Sequence, residues 1–499
     1  MDDTAGSIAP GTPVSVDPPH TVSWSLRLGI LTVGTTLAMA HADLALGGLA
    51  APAFEELLNA RAALLTACGH GLELPVLQYR AFCGGCTADA LLGAAPLRLL
   101  GGTVGAWKLV PVGLHAIASA ALVVLAGAGG GRRGAWVALA LVLGAPTAWR
   151  ELVLTGWGNH AESMAFTFGA AALLLGAERR PWTAGAAGVV AGVGVWYAWI
   201  SAHALPALGL AALCAGGRRG LLAFGLGMPV GVAPLAGFVA VRPEARPELL
   251  DLGSRLSPAP IAAWLAWWSE PFLPGRSWPH GDGLLRWVGA AATGVVAGLA
   301  CLGLASVRQI RGRGRVGPVL VGGGLLGLGI ATLLRHDLWA DNPMLMGFDP
   351  FALRYRAPAL PLVLLGAALA SVRSRVAAGL ALAVAAFGLQ QRVGEWWSGE
   401  GLDLGAPLEV TALAPDPTVP EGTPPRRNPD RMSRPVDIDA ARSFLDGHVD
   451  GVPACRAVHA AELGRRMGLR DARQGCPSPP ESGPDAVAVA LGHAQACPL

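Results

Sequence analysis

Long apolar runs alternate with short polar or glycine-rich connections along most of the chain. Eleven apolar stretches stand out, near 22–42, 104–127, 134–149, 163–177, 183–199, 203–217, 220–241, 284–306, 316–334, 358–372 and 376–392. The hydrocarbon core of a bilayer is about 30 Å thick and takes roughly 20 helical residues, fewer where Gly and Ala let helices pack closely. The pattern therefore predicts an all-α polytopic membrane protein with about 11 transmembrane helices over 22–392. Segment 43–103 is patterned differently. PAFEELLNARAALLTA sets Phe54, Leu57, Leu58, Leu64 and Leu65 on one helical face with Glu55, Glu56 and Arg61 elsewhere, which predicts a helix lying along the membrane surface. TADALLGAAPLRLLGG predicts a second, with Thr87 capping its start, Asp89 meeting the positive end of the dipole and Gly101–Gly102 ending it.

Short cytoplasmic loops collect Arg and Lys, so basic residues orient such a chain. The tight connections hold Arg132–Arg133, Arg179–Arg180, Arg218–Arg219, the run from Arg308 to Arg315, and Arg373 with Arg375. With eleven spans and a cytoplasmic N-terminus, all five clusters fall on the cytoplasmic side. Segments 43–103, 150–162, 242–283 and 335–357, and everything from 393 onward, then lie outside. The expected setting is the bacterial inner membrane, with the C-terminus external.

Composition agrees: 53% of the 499 residues are hydrophobic and 14% are charged. Lys108 is the single lysine, which effectively excludes Schiff-base and phosphate-loop lysine chemistry. Residues 1–21 are polar and Pro-rich without the basic start or cleavage site of a signal peptide, and read as a disordered cytoplasmic tail. Cys68, Cys83, Cys86, Cys455, Cys476 and Cys497 fall in the predicted external segments, which suits disulfides in an oxidising compartment, with the pairing left open. FCGGC could instead be a redox or metal CxxC, although it has no second pair. Region 393–499 is polar, Pro-rich and then helical, a small external C-terminal region.

Residues able to do chemistry gather in those external segments. GNHAES, residues 158–163, sets His160 and Glu162 between two apolar runs, where an ionisable group needs a partner, water or a substrate. The two could bind acceptor, donor or a divalent metal ion, or could cap the following helix with help from Ser163. Arg354, Tyr355 and Arg356 enter a span from outside, against the orientation rule. They either grip a phosphate or snorkel to lipid headgroups. Trp264, Trp267, Trp268 and Trp278 read as an interfacial anchor or a sugar-stacking platform. His115 and His203 read as packing histidines, and no nucleic-acid partner is expected.

One span, a long external loop with two surface helices, many short hairpins and an external C-terminal part resemble the GT-C membrane glycosyltransferases. That superfamily includes protein mannosyltransferases and aminoarabinose or mannosyl transferases fed by polyprenyl-phosphate sugars. The likeness covers residues 22–392 in architecture. PAFEELLNARAALLTACGHGLELPVLQYRAFCGGCTADALLGAAPLRLLGG is similar to the family's first loop, where an acidic pair precedes an Ala-rich helix, a Pro/Tyr turn and a second helix. FALRYRAPALPLVLLGAALA is similar to its late Arg-Tyr approach to a span. The usual Asp-Glu pair stands here as Glu55–Glu56, and the aromatic expected after it is absent. The resemblance implies inverting transfer of a sugar from a polyprenyl-phosphate donor to an external-face lipid, glycan or protein. It implies Glu55 or Glu56 as general base, with Asp43 in reserve and Glu73 also competing. Arg354, Tyr355 and Arg356 would cradle the leaving phosphate, with His160 and Glu162 contributing from the second loop. A transporter or flippase is the main alternative, weakened by the lack of a clear internal repeat. A non-catalytic envelope assembly protein is a third.

Overall fold

Apolar runs rich in Ala, Leu and Gly fold as helices because a helix satisfies every backbone polar group within its own segment, as lipid requires. The computed structural model describes residues 20–49, 54–67, 84–158, 160–241, 258–269, 283–305, 312–334, 358–372, 374–399 and 401–405. Its helices are α1 (His20–Ala45), α2 (Phe54–Ala67), α3 (Gly84–Leu100), α4 (Val104–Leu143), α5 (Thr147–Leu154), α6 (Met164–Leu174), α7 (Pro181–Tyr197) and α8 (Leu205–Val241). They continue with α9 (Ile261–Ser269), α10 (Gly283–Ala305), α11 (Val316–Leu334), α12 (Ala359–Ala370) and α13 (Arg375–Ser398). Short 3-10 turns occupy Ala161–Ser163, Trp199–Ala204 and Gly312–Arg315. No strand occurs among the described residues. Among the described residues, five helical stretches are long and apolar enough to cross a membrane, Leu26–Ala45, Val104–Leu143, Trp199–Val241, Val316–Leu334 and Arg375–Ser398. Shorter apolar ones cover Ala161–Leu174, Gly294–Ala305 and Ala359–Ala370. The protein is all-α and carries the apolar helices of an integral membrane protein, and each of the eleven apolar stretches coincides with a helical segment.

The two longest helices are hairpins. A Cβ on Gly134 would sit 2.8 Å from the Ala126 carbonyl, and one on Gly220 would sit 2.7 Å from that of Ala212. Residues eight apart on a straight helix are separated by about 12 Å along the axis. The chain reverses at Gly131 (φ 60°, ψ −159°) and Gly217 (φ 61°, ψ −157°), a backbone region essentially closed to other residues. Both reversals fall in the same sequence, GGRRG, at 130–134 and 216–220.

These reversals and the other arginine-bearing turns meet at one end of the bundle. Arg132 stacks 5.0 Å above the Trp24 ring near the start of α1. Arg133 donates to the Ser371 carbonyl between α12 and α13 at 3.5 Å. A Cβ on Gly216 would touch Ala177, in the α6–α7 turn, at 3.4 Å.

At the far end, α2 and α3 are the two helices expected in segment 43–103, and α2 buries Leu64 of its predicted apolar face together with residues outside that face. Glu56, Asn59, Ala60 and Ala63 also face inward, the alanines into the apolar core and Glu56 and Asn59 because the groups they meet are polar and buried rather than lipid. Helix α3 begins three residues earlier than expected, so Thr87 lies inside its first turn and does not cap it; Gly101 (φ +92°) follows its last residue. The last helix runs past the expected 392 to Ser398. The chain then returns: the Leu402 N–H donates to the Leu44 carbonyl at 2.9 Å, and Gly105 donates to Leu404 at 2.8 Å. Residues 1–19 and 406–499, the expected tail and most of the C-terminal region, lie outside the described residues.

Candidate functional site

Two buried polar clusters occupy the end opposite the arginine turns. The first is built on Lys108, one turn into α4. Its ammonium donates to Glu56 Oε1 at 2.7 Å, to Glu56 Oε2 at 2.8 Å and to the Leu154 carbonyl at 3.0 Å. The Trp107 indole N–H adds a bond to Glu56 Oε1 at 2.9 Å. Glu56 is 0% exposed and Lys108 1%. Glu56, expected off the apolar face of a helix on the membrane surface, is instead the buried counterion of the chain's single lysine. Glu55 precedes it on α2, with its side chain outside the described ones.

Asn59, one turn on, donates to the Gly156 and Trp157 carbonyls at 3.3 Å each. That fixes the turn leading into GNHAES. Gly158 presses against the first turn of α3, where a Cβ would lie 3.0 Å from the Cys86 nitrogen and 2.9 Å from Asn59 Nδ2. Its N–H donates to Glu162 Oε1 at 3.1 Å, while the Ser163 hydroxyl donates to the His160 carbonyl at 2.6 Å. Neither His160 nor Ser163 makes a side-chain cap. The Glu162 carboxylate closes its own turn instead. His160 is buried, its ring 6.5 Å from that of Trp157. Cys86 is disulfide-bonded, and because Cys214 and Cys301 are free, its partner lies outside the described residues.

Asp89, on the next turn of α3, belongs to the same cluster. Tyr197, the last residue of α7, donates its hydroxyl to Asp89 Oδ1 at 2.7 Å. Asp89 Oδ2 and Glu162 Oε2 are buried and have no hydrogen-bond partner among the described residues. Burial, then the charge of Glu162, raises the Asp89 carboxyl well above its usual value against the pull of the Tyr197 bond. Burial pushes Glu162 up to about 7, against backbone N–H groups of Glu162, Gly158, Trp157 and His160. Three ionised carboxylates around one ammonium would leave two excess charges in a medium that penalises them, and protons on Asp89 and Glu162 relieve that excess.

The second cluster closes on Asp43, at the end of α1. Asp43 Oδ1 accepts from Arg150, Arg392 Nε and Trp396 Nε1, each at 2.8 Å. Arg392 also bonds Asp43 Oδ2. Arg150 and Thr147 both bond Glu395. Asp43 thus ties α1 to α5 and α13, with both oxygens engaged. Beside it a cavity of about 20 Å³ is lined by His115, Ser119, Trp149, Ala161, Met164 and Pro361 among others, enough for a water molecule. Ala161 lies between His160 and Glu162, and Pro361 comes five residues after Arg356.

Of the residues singled out by sequence, Glu56, His160 and Glu162 come together, with Asp43 in the neighbouring cluster. Arg354, Tyr355, Arg356 and Glu73 lie outside the described residues. Trp264 and Trp268 both spend their indole N–H groups on the Thr332 hydroxyl, at 3.1 and 3.2 Å, anchoring α9 to α11. Among the described residues, no three or more His, Cys, Asp or Glu side chains are grouped to hold a metal ion. Sequence reasoning gave Asp89 a role only at a helix terminus and gave Tyr197, Arg150 and Arg392 none. The available signals were an acidic residue just after a CxxC and a lone lysine in an apolar run. The chain matches no protein-family model and no curated protein sequence.

Proposed function

We propose that the chain is a membrane glycosyltransferase of GT-C type. In this reading its eleven apolar segments cross the membrane, with the arginine turns cytoplasmic. It moves a sugar from a polyprenyl-phosphate donor to a lipid, glycan or protein acceptor on the external face. The observation that carries the reading is the buried Asp89–Glu162 pair, in which each carboxyl keeps one oxygen without a partner.

The base role passes from Glu56 and Asp43 to this pair for a geometric reason, while the side chain of Glu55 lies outside the described ones. Both oxygens of Glu56 accept from Lys108, and both oxygens of Asp43 accept from arginine. Those two carboxylates hold the scaffold. A base whose pKa lies near the working pH is both ionised and basic enough to act, and about 7 for Glu162 meets that condition. Glu162 takes the acceptor hydroxyl proton, with Asp89 beside it holding the buried pair in place. The acceptor oxygen then bonds to the anomeric carbon from the face opposite the leaving group, and the bond to phosphate oxygen breaks with its electron pair on the phosphate. Arg354, Tyr355 and Arg356 remain the proposed phosphate cradle. Their support is the position of Pro361 on the cavity that Ala161 also lines. The Cys86 disulfide accords with an external site.

A second reading is favoured by the same pair: a buried carboxyl at about 7, beside another raised well above its usual value, also suits proton-coupled transport. Reconstitution of the purified chain with labelled polyprenyl-phosphate sugars separates the two. Asp89→Asn and Glu162→Gln are expected to slow sugar transfer by about 10²–10⁴-fold, while the folded chain still binds donor. A folded double variant with full transfer activity removes the site assignment. Substrate movement driven by a pH gradient, with no transfer from any donor, replaces the transferase by the transporter.

A further inference from the structure

At the arginine end, the α6–α7 turn and the Gly217 reversal lie side by side, with Gly216 in reach of Ala177. We propose that the four arginines on these turns, Arg179, Arg180, Arg218 and Arg219, form a docking site for the headgroup of an anionic phospholipid. This goes beyond the transferase reading and does not depend on it.

All four side chains are exposed. None has a hydrogen bond or ion pair with any described residue, unlike Arg150 and Arg392 at the opposite end, whose guanidiniums are fully engaged. Glu178 is the one acid among the residues of the two turns, so the pair of turns keeps a net positive charge. An exposed guanidinium presents a planar fork of donors that matches phosphate oxygens, and two adjacent pairs can hold one phosphate from both sides. The first turn of α7 adds to the attraction. Arg180 gives it no side-chain cap, so its positive end is uncovered.

The apolar neighbours select lipid over a soluble phosphate. Trp182, two residues after Arg180, is 64% exposed, and Leu222, three after Arg219, is 66% exposed. Tryptophan settles at the headgroup level and leucine in the acyl region, so each arginine pair sits at the polar edge of a lipid-facing surface. A free phosphate gains nothing from those side chains, whereas a phospholipid contacts both.

The test uses the full chain in detergent, titrated with phosphatidylglycerol or phosphatidylcholine and read by native mass spectrometry. Phosphatidylglycerol is expected to bind at least about tenfold more tightly than phosphatidylcholine. Arg179→Gln/Arg180→Gln and Arg218→Gln/Arg219→Gln should each weaken it by about tenfold or more, at roughly fivefold per arginine lost. Two results overturn the proposal: equal affinity of the wild-type chain for the two lipids, or unchanged phosphatidylglycerol affinity in either double variant with its melting temperature preserved. Where a variant does not fold, the wild-type preference is measured at 50 and 500 mM salt, and a preference insensitive to salt also overturns it. Displacement of the lipid by millimolar inorganic phosphate overturns the choice of lipid and assigns a soluble anion.

Discussion

Lys108 and Glu56 cannot be removed singly at low cost. Breaking a buried ion pair strands the remaining charge in a medium that cannot solvate it, typically a loss of 3–5 kcal/mol. Lys108→Met should therefore lower unfolding stability by about 3–5 kcal/mol, and the double variant Lys108→Met/Glu56→Leu should recover more than half of it. Denaturant unfolding of the purified chain checks both. The lysine was legible in the sequence as an anomaly, but its partner lies 52 residues away, a pairing that no local pattern encodes. Glu162 gives a second expectation, with a definite sign. Its carboxyl titrates at about 7 when folded, against an ordinary value of 4.5. The folded state therefore binds the extra proton between those values, so stability is fully present below about 4.5 and is lost as pH rises through about 7. The shift corresponds to roughly 3 kcal/mol between pH 4.5 and pH 7, and Asp89 moves the same way. Transfer activity that needs the ionised base rises over the same interval. Glu162→Gln should lessen the fall of stability between pH 4.5 and pH 7, leaving the part due to Asp89, and abolish the rising limb of the rate profile. A wild-type chain that is more stable at pH 8 than at pH 5 contradicts this.

At the scale of elements, hydropathy made the helices visible but not which faces they bury. The turns were legible too, since arginine pairs flanked by glycine mark reversals. The close crossing of α7 and α8 was not. Gly188 and Gly192 on α7 lie directly against the Phe224 and Met228 carbonyls of α8. A Cβ on Gly192 would collide with the Met228 carbonyl and lie 2.9 Å from Gly231 Cα. Gly185, about one turn before Gly188 on α7, would place its Cβ 3.7 Å from the Ala223 carbonyl, an ordinary contact. Sequence shows all three as glycines in an apolar run. Only the crossing tells which must lack a side chain, because small residues act by letting backbones approach. Gly192→Ala should force the helices apart and lower the melting temperature by several degrees or prevent folding. Gly185→Ala should be neutral or slightly stabilising, since alanine is favoured over glycine in a helix by about 1 kcal/mol. Equal effects of the two substitutions in a thermal melt would show that this crossing does not limit stability. The same blindness to partners explains α2. Its leucine-rich face was the obvious one to bury, and Leu64 is buried, but Glu56 and Asn59 also turn inward because Lys108 and the Gly156–Trp157 carbonyls wait there.

Over the described residues, the arginines of the turns gather at one end and carboxylates, several of them paired with Lys108, Arg150 and Arg392, at the other. The described turns with Arg132, Arg133, Arg179, Arg180, Arg218 and Arg219 lie at one end. Asp43, Glu56, Asp89, Glu162 and Glu395 lie at the other, mostly buried among their partners. This asymmetry was the most legible global property, because positive charge in short loops is visible without any knowledge of packing. It also fixes an expected orientation. A membrane potential negative inside favours each arginine on the inner side by roughly 2.3 kcal/mol per 100 mV, and carrying arginine through hydrocarbon adds a barrier of similar size. Two introduced cysteines test the resulting topology in cells. Glu178 is exposed in the arginine-side α6–α7 turn, and Asp403 is exposed just beyond α13 at the carboxylate end. Against the background of the same chain with Cys214 and Cys301 replaced by serine and its other six cysteines kept, Asp403→Cys should add reaction with an impermeant maleimide on intact cells. Glu178→Cys should react only after permeabilisation. The reverse pattern would invert the orientation and put the Asp89–Glu162 pair in the cytoplasm, away from any external acceptor. Labelling of both probes from outside would break the two-ended arrangement itself, and with it the eleven-span count that sends these two turns to opposite faces.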